Sequence, residues 1–192
     1  MLKWGKLEIS WGFPALAAVA LLAGAGGALP IAALCALSHE AGHLLALRLA
    51  RAKVERVRLT AFGAEIQADT RYLPYPQEIL CTLAGPAVNL ILAVLLARLA
   101  GNDLAAGVNL TLGVFNLLPI PALDGGRVLY LLVSWGWDPM AADRVCRWVG
   151  LCCALLLTAA ALAVTVRYHA GLFLLMGAAG TLLPQIGSRQ YN

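Results

Sequence analysis

Three long stretches without a charged residue constrain this chain more than any other feature of its sequence. They cover residues 11–29, 79–97 and 148–166, and each is close to the roughly 20 residues that an α-helix needs to cross about 30 Å of hydrocarbon. Composition agrees, because 61% of the 192 residues are apolar and only 12% are charged, about half the charged share of a soluble domain. We therefore predict an all-α polytopic membrane protein with a single domain over residues 1–192.

Three further apolar stretches are interrupted or short. One contains Ser38-His39-Glu40, one is broken by Pro119 and Pro121, and the last is brief. Together the stretches predict about six transmembrane helices, at approximately 11–29, 30–50, 77–99, 104–133, 145–166 and 170–186. The first could instead be a cleavable signal peptide, since basic residues precede it and small residues end it. That alternative leaves five spans.

Basic residues indicate the orientation in the membrane. With six spans, eleven of the fourteen fall on one side, two on the other and Arg127 within a span. The eleven are Lys3, Lys6, Arg48, Arg51, Lys53, Arg56, Arg58, Arg71, Arg144, Arg147 and Arg189. The positive-inside rule then predicts cytoplasmic termini. Because these residues form no dense stripe, the net charge of +4 does not indicate a nucleic-acid partner.

A period-2 pattern follows the second predicted span. Apolar and polar residues alternate over residues 54–69, which is typical of a β-hairpin. Phe62-Gly63 is predicted to supply the turn. We expect a small β-hairpin or sheet after the second helix.

The strongest chemical signal is His39-Glu40-Ala41-Gly42-His43, an HExxH pattern inside an otherwise apolar helix. Residues i and i+4 share one helix face, so both imidazoles can bind one metal ion with the glutamate beside it. The two histidines could instead be polar residues that are hydrogen-bonded within a helix bundle. However, burying ionisable groups in a membrane costs free energy, so such groups are candidates for function. A catalytic zinc site has three protein ligands, so one remains to be found.

Asp124 is the best candidate for that third ligand. Apart from Glu40, every other acidic residue lies near a predicted membrane boundary or in a loop. Asp124 follows Pro119 and Pro121 and precedes two glycines, and broken backbone at membrane depth is tolerated where it is buried in protein or lines a watery cavity. Asp124 could alternatively cap the helix that follows.

These motifs resemble those of the site-2 protease family of intramembrane zinc metalloproteases. Its signatures are HExxH and a Leu-Asp-Gly segment two helices later, here residues 123–125. Gly85-Pro86-xx-Asn89 is similar to a further family motif, although glycine and proline could also serve helix packing alone. The chain most resembles the small bacterial type to which the stage IV sporulation protease belongs.

Several positions depart from the family pattern. Ala122 stands where many relatives carry another proline, and Gly63-Ala64 replaces a common Gly-Gly. The nucleotide-sensing C-terminal regulatory domain of the sporulation type is not expected here. None of these departures falls on a predicted metal ligand. They indicate that the substrate and regulation need not match those of the sporulation enzyme.

The resemblance implies a zinc metalloendopeptidase with one Zn²⁺ per chain in the bacterial cytoplasmic membrane. His39, His43 and Asp124 would bind the metal, and Glu40 would act as general base and then general acid. Asn89, Asn116 and Gly125 would bind substrate or support the site, with inter-helix packing an equal alternative for the asparagines.

The implied partners are the lipid bilayer and a transmembrane or membrane-tethered protein substrate, whose cleavage could release a transcription regulator or a sigma factor precursor. A regulatory membrane protein is a further expected partner.

Two other kinds of function fit the sequence less well than an intramembrane protease. Membrane metalloproteases that recruit a later glutamate as third ligand do not fit, because Glu78 is the last glutamate in the chain. A catalytically silent scaffold or transporter that retains the fold is the alternative from another class. The complete HExxH pattern and Asp124 favour the enzyme, and the chain lacks the paired helix breaks of an inverted-repeat transporter.

Overall fold

The computed structural model describes residues 2–4, 7–9, 28–60 and 63–168. These residues form strands β1 (Leu2–Trp4), β2 (Leu7–Ile9), β3 (Lys53–Thr60) and β4 (Gly63–Asp69), and helices α1 (Ala28–Leu49), α2 (Tyr75–Leu95), α3 (Asp103–Asn116), α4 (Asp124–Gly136) and α5 (Pro139–Tyr168). The chain divides into two compact units, Met1–Val114 and Phe115–Asn192. Predicted spans 11–29 and 170–186 lie outside the described residues, except for Ala28 and Leu29, which begin α1.

Helices α1 and α2 match the predicted spans 30–50 and 77–99. Both are long and apolar enough to cross a membrane, over Pro30–Leu49 and Tyr75–Ala100, where α2 is extended by a π-helical turn at Leu96–Ala100. The two helices pack against each other. A Cβ on Gly42 would lie 2.8 Å from the Ala84 carbonyl oxygen, so glycine permits the close approach that drives helix association in lipid.

The predicted hairpin is present and belongs to a larger sheet. Strands β3 and β4 pair antiparallel from Lys53–Asp69 to Thr60–Gly63, with an irregularity between Val54 and Arg56. Gly63 therefore begins β4, whereas the sequence placed it in the turn. Strand β2 pairs with β3 in parallel, which gives the order β1-β2-β3-β4. Among the described strands, β4 is the edge on the hairpin side.

A bidentate ion pair follows the end of β4. Arg71 donates from Nε to Asp69 Oδ1 and from Nη2 to Asp69 Oδ2, each at 2.9 Å. This guanidinium lowers the pKa of Asp69 from 3.8 to about 2. The Arg71 side chain is 79% exposed, so water screens the pair and its contribution to stability is small.

The predicted span 104–133 is two separate helices in the structure. Helix α3 has 14 residues and α4 has 13, and at 1.5 Å per residue each is about 20 Å long, too short to cross the hydrocarbon alone. Residues 117–123 separate them, at the predicted prolines. Six spans therefore remain a prediction, and the described residues contain three helices long enough to cross.

Helix α5 begins earlier than the predicted span 145–166. Asp138 Oδ1 accepts a hydrogen bond of 2.8 Å from the Ala141 backbone N–H, which satisfies a helix N-terminus as a capping residue does. The segment Pro139–Arg167 is the third candidate span. Helix α5 packs against α4, where buried Cys146 Sγ lies 3.9 Å from the Gly126 carbonyl oxygen.

Candidate metal centre

The histidines of the HExxH pattern lie next to each other in the first unit. Both are in α1, one helical turn apart, and His39 is only 5% exposed. Their Nε2 atoms are 3.1 Å apart, and the rings meet edge to face with centroids 4.8 Å apart. The i, i+4 spacing thus brings the two imidazole nitrogens to one point, as the sequence predicted.

The other nitrogen of each ring contacts an acceptor on α2. His39 Nδ1 lies 2.5 Å from Asn89 Oδ1, and His43 Nδ1 lies 2.9 Å from the Cys81 carbonyl oxygen. Because both oxygens only accept hydrogen bonds, each Nδ1 must carry a proton and donate it. Nε2 is then the nitrogen that each ring can offer to a metal, which is the tautomer that a metal-binding histidine needs.

The spacing of the two nitrogens fits a single metal ion. Two zinc–nitrogen bonds of about 2.0 Å at a tetrahedral angle place their nitrogens about 3.3 Å apart. The observed 3.1 Å agrees with this value. Two lone pairs at this distance repel each other unless a cation or a proton lies between them, so the chemistry of the pair fits zinc.

Gly85 lets the His43 ring pack against α2. A Cβ at this position would collide with Nε2, Cδ2 and Cε1 of His43. The Gly-Pro motif is therefore more than a general helix-packing signal, because its glycine sits against a proposed metal ligand. The adjacent Pro86 is fully buried.

A buried polar cluster surrounds His39. Asn89 Nδ2 donates to the Cys35 carbonyl oxygen at 3.1 Å and to Asn109 Oδ1 at 2.8 Å. Asn109 Nδ2 donates to the Ala105 carbonyl oxygen at 2.9 Å and to Cys35 Sγ at 3.0 Å. The exposed fractions are 0% for Asn89 and 2% for Asn109. Asn89 was predicted from the sequence as a site residue and Asn109 was not, although an amide inside an apolar helix is a recognisable signal.

Glu40 lies between the histidines in sequence and is half-buried on α1. A carboxylate adjacent to an imidazole pair in a mostly apolar setting can accept a proton and return it.

Asp124 belongs to the second unit, where it is the first residue of α4 and half-buried. Leu123 occupies the N-cap position with extended backbone and makes no side-chain cap hydrogen bond. Asp124 therefore stands one residue after the N-cap position that the alternative interpretation assigned to it. A carboxylate in the first helical turn interacts favourably with the helix dipole.

Two glycines hold the segment before Asp124 against the first turn of α4. A Cβ on Gly125 would collide with the Leu117 carbonyl oxygen, and one on Gly126 with the Ile120 carbonyl oxygen. Ile120 is fully buried, and its own carbonyl accepts a 2.8 Å hydrogen bond from the Leu123 N–H. Gly125 is thus a packing residue of this turn. Asn116, the remaining predicted site residue, ends α3 and is half-buried.

Comparison with known sequences agrees with the motifs. Residues 102–157 match the family described as Peptidase family M50. Stage IV sporulation protein FB from Bacillus subtilis is 33% identical over 151 residues, which cover 74% of this chain and 52% of that protein. Zinc metalloprotease MJ0392 from Methanocaldococcus jannaschii is 28% identical over 130 residues, 62% of this chain and 38% of that protein. The chain thus spans about half of the first relative's length and less of the second's.

A solved structure has the same fold. The site-2 protease from Methanocaldococcus jannaschii matches with a TM-score of 0.68 at 19% identity, over 97% of this chain and 92% of that one. Together with the candidate membrane spans, the relatives identify an integral membrane protein. The predicted resemblance is confirmed: over residues 102–157 this chain is similar to peptidase family M50, the family of the site-2 proteases.

Proposed function

We propose that this chain is an intramembrane zinc metalloendopeptidase in which His39, His43 and Asp124 bind one Zn²⁺. Its main support is the histidine pair, whose Nε2 atoms lie 3.1 Å apart while both Nδ1 atoms contact acceptors. Two imidazoles and one carboxylate are a donor set that could hold a metal ion, and three protein ligands are the number typical of catalytic zinc. Relatives named zinc metalloproteases support the same metal.

Zinc held by these three residues would supply Lewis-acid activation of water and stabilisation of negative charge on the substrate carbonyl oxygen. Glu40 removes the proton from the attacking water and then delivers it to the nitrogen of the departing peptide. Asn89 holds the His39 ring through its Oδ1 atom. Gly125 supports the turn that precedes Asp124, and Asn116 binds substrate or braces the site.

The substrate is a membrane-embedded or membrane-tethered protein, which the chain cleaves to release a transcription regulator or a sigma factor precursor. Six spans in the bacterial cytoplasmic membrane, with both termini cytoplasmic, would open the site toward the cytoplasm. This orientation follows from the excess of basic residues on one side. A regulatory membrane partner would control access.

A helical substrate must be unwound before cleavage, because its backbone carbonyls are hydrogen-bonded along the helix. Strand β4 is the hairpin's edge among the described strands, since β2 covers the other side of β3. The edge can hold an extended substrate segment as an added strand. Gln67→Pro on β4 should then reduce cleavage while zinc binding is kept. Cleavage at the unchanged rate would exclude strand addition at this edge.

The decisive variant for the reaction is Glu40→Gln. It should bind zinc as the unchanged chain does but lose proteolysis by about 10²- to 10⁴-fold, the usual contribution of a general acid–base. The assay is zinc content of purified protein together with cleavage of a membrane-tethered reporter in co-reconstituted vesicles. Glu78→Gln, the same change in the first turn of α2, is the matched control and should leave both properties unchanged.

The outcomes separate the enzyme from the scaffold. Cleavage retained in Glu40→Gln would make the mechanism wrong. Zinc binding without cleavage of any trapped or reporter substrate by the unchanged chain would instead favour the silent scaffold. The Glu40→Gln variant also serves as a trap, since bound substrate can be isolated with it and identified by mass spectrometry.

A further inference from the structure

Three side chains form one continuous line of hydrogen bonds from the backbone of α3 to a histidine of the HExxH pattern. Asn109 donates to the Ala105 carbonyl oxygen at 2.9 Å. Asn109 Oδ1 accepts from Asn89 Nδ2 at 2.8 Å, and Asn89 Oδ1 accepts from His39 Nδ1 at 2.5 Å. All three side chains are buried.

Each amide in this line has only one orientation that satisfies its partners. The Ala105 carbonyl accepts only, so the nitrogen of the Asn109 amide must point to it and the oxygen must point to Asn89. The two N–H groups of Asn89 are both used, one by Asn109 and one by the Cys35 carbonyl oxygen. The oxygen of Asn89 is therefore the atom that faces His39.

We infer that Asn109 is a positioning residue of the metal centre, an inference that rests on the proposed zinc-binding role of His39. Asn109 fixes the Asn89 amide, and Asn89 keeps the His39 proton on Nδ1, so that Nε2 is the nitrogen presented to the metal. Without the Asn109 oxygen, one N–H of the fully buried Asn89 loses its acceptor. Leaving such a group unsatisfied is unfavourable, which favours rotation of the amide and release of the His39 ring.

A packing role for Asn109 would predict opposite results from a leucine and an aspartate variant. Asn109→Leu keeps a side chain of similar branched shape and removes the acceptor, so packing survives better than positioning. Asn109→Asp keeps the acceptor oxygen, and when protonated its O–H can also donate to the Ala105 carbonyl. If Asn109 positions Asn89, the aspartate variant should therefore bind zinc normally and the leucine variant should not. If Asn109 only fills space, the leucine variant should be the less damaged of the two, because a buried acid is costly.

The experiment measures zinc affinity by chelator competition and the His39 tautomer by nitrogen-15 NMR. The second readout uses full-length, histidine-labelled protein with the zinc removed. The chain has 3 histidines, so His39 is assigned by comparison with a His39→Gln spectrum. Outer partners of metal ligands typically contribute 10- to 100-fold to affinity. We expect about 100-fold loss in Asn89→Leu and about 10-fold in Asn109→Leu, each with a mixed His39 tautomer.

Asn109→Asp should bind zinc as the unchanged chain does and keep the Nδ1–H tautomer. Thr111→Val, an exposed change on the same helix, is the matched control and should alter neither readout. Unchanged affinity and tautomer in Asn109→Leu would overturn the inference, as would equal losses in a folded Asn109→Asp variant. If Asn109→Leu fails to fold, Asn109→Ala takes its place with the same two outcomes.

The same measurements distinguish failure of the proposed function from failure of the positioning role alone. If the unchanged chain binds no stoichiometric zinc, the metal centre itself is wrong and the inference fails with it. If the unchanged chain binds zinc and the Asn109 variants do not change its affinity, only the positioning role is lost.

Discussion

The two regions that carry the proposed metal ligands hold them in opposite ways. His39 and His43 lie within a continuous helix and depend on α2 for the hydrogen bonds that orient their rings. Asp124 lies just after a break, where residues 117–123 fold against the first turn of α4 through Gly125 and Gly126. The first region is oriented by a neighbouring helix, and the second by its own backbone.

This difference predicts which substitutions damage the site alone and which damage the fold. A change between α1 and α2 can displace a histidine ring while both helices persist, because a ring can turn about its side-chain bonds without moving the backbone. A change in the turn before α4 meets carbonyl groups, which move only if the backbone moves. Matched glycine substitutions in the two regions test this distinction.

Gly126→Ala should have the largest effect. Its Cβ would collide with the backbone of Ile120 and Pro121, and overpacking against backbone should exceed the usual cost of about 1–3 kcal/mol. We expect the melting temperature of the detergent-purified protein to fall strongly, as measured by loss of helical circular dichroism.

Gly136→Ala is the control for this substitution. Gly136 ends the same helix, and a Cβ there would meet nothing within 4 Å, so its melting temperature should stay close to that of the unchanged chain. Equal stability of the two variants would show that the turn before Asp124 is not braced by its own backbone.

Gly85→Ala should have the second-largest effect, and it should lower zinc affinity rather than the stability of the fold. The added Cβ would push the His43 ring away from its place against α2, so that Nε2 no longer points where it does now. We expect at least about 10-fold weaker zinc binding, as found when the orientation of a metal-binding histidine is lost. Chelator competition measures the affinity, and circular dichroism verifies that the helices remain.

Gly107→Ala separates this effect from the general consequences of adding a methyl group to a membrane helix. A Cβ at Gly107 would meet nothing within 4 Å, and alanine is a better helix former than glycine by about 1 kcal/mol. Its zinc affinity should not change. Zinc affinity in Gly85→Ala equal to that of Gly107→Ala would mean that the His43 ring does not need its present position.

Local sequence patterns predicted the features that depend on one element. The i, i+4 spacing placed His39 and His43 on one face of α1, and Pro119 and Pro121 marked the break before Asp124. Alternation over residues 54–69 predicted the hairpin of β3 and β4. These patterns arise from the period of a single helix or strand, which is readable without knowledge of the partners.

Features that depend on which elements meet were not predicted. The hydrogen bonds from His43 to the Cys81 carbonyl oxygen and from Asn89 to Asn109 join different helices, and no spacing along the chain encodes them. The parallel pairing of β2 with β3 was missed because Leu7–Ile9 has only 3 residues, too few to show alternation. A backbone carbonyl such as that of Cys81 also leaves no trace in residue identity.

The smallest predicted effect concerns a third region, the ion pair of Asp69 and Arg71. Unlike the buried hydrogen bonds between Asn109, Asn89 and His39, this pair is exposed at Arg71, so water screens it. The pKa of Asp69 is lowered from 3.8 to about 2, which means that the folded chain favours the charged carboxylate. The resulting stabilisation is complete above about pH 4 and is lost as the pH falls through about 2.

Asp69→Asn should remove this acid-dependent contribution. The difference in melting temperature between the unchanged chain and the variant should be small and constant above pH 4, shrink between pH 4 and 2, and diminish with added salt. Zinc affinity at neutral pH should be the same in both proteins. A difference that grew as the pH fell would give the wrong sign for a carboxylate of lowered pKa. A large, salt-independent difference would mean instead that this pair is held as tightly as the buried amides.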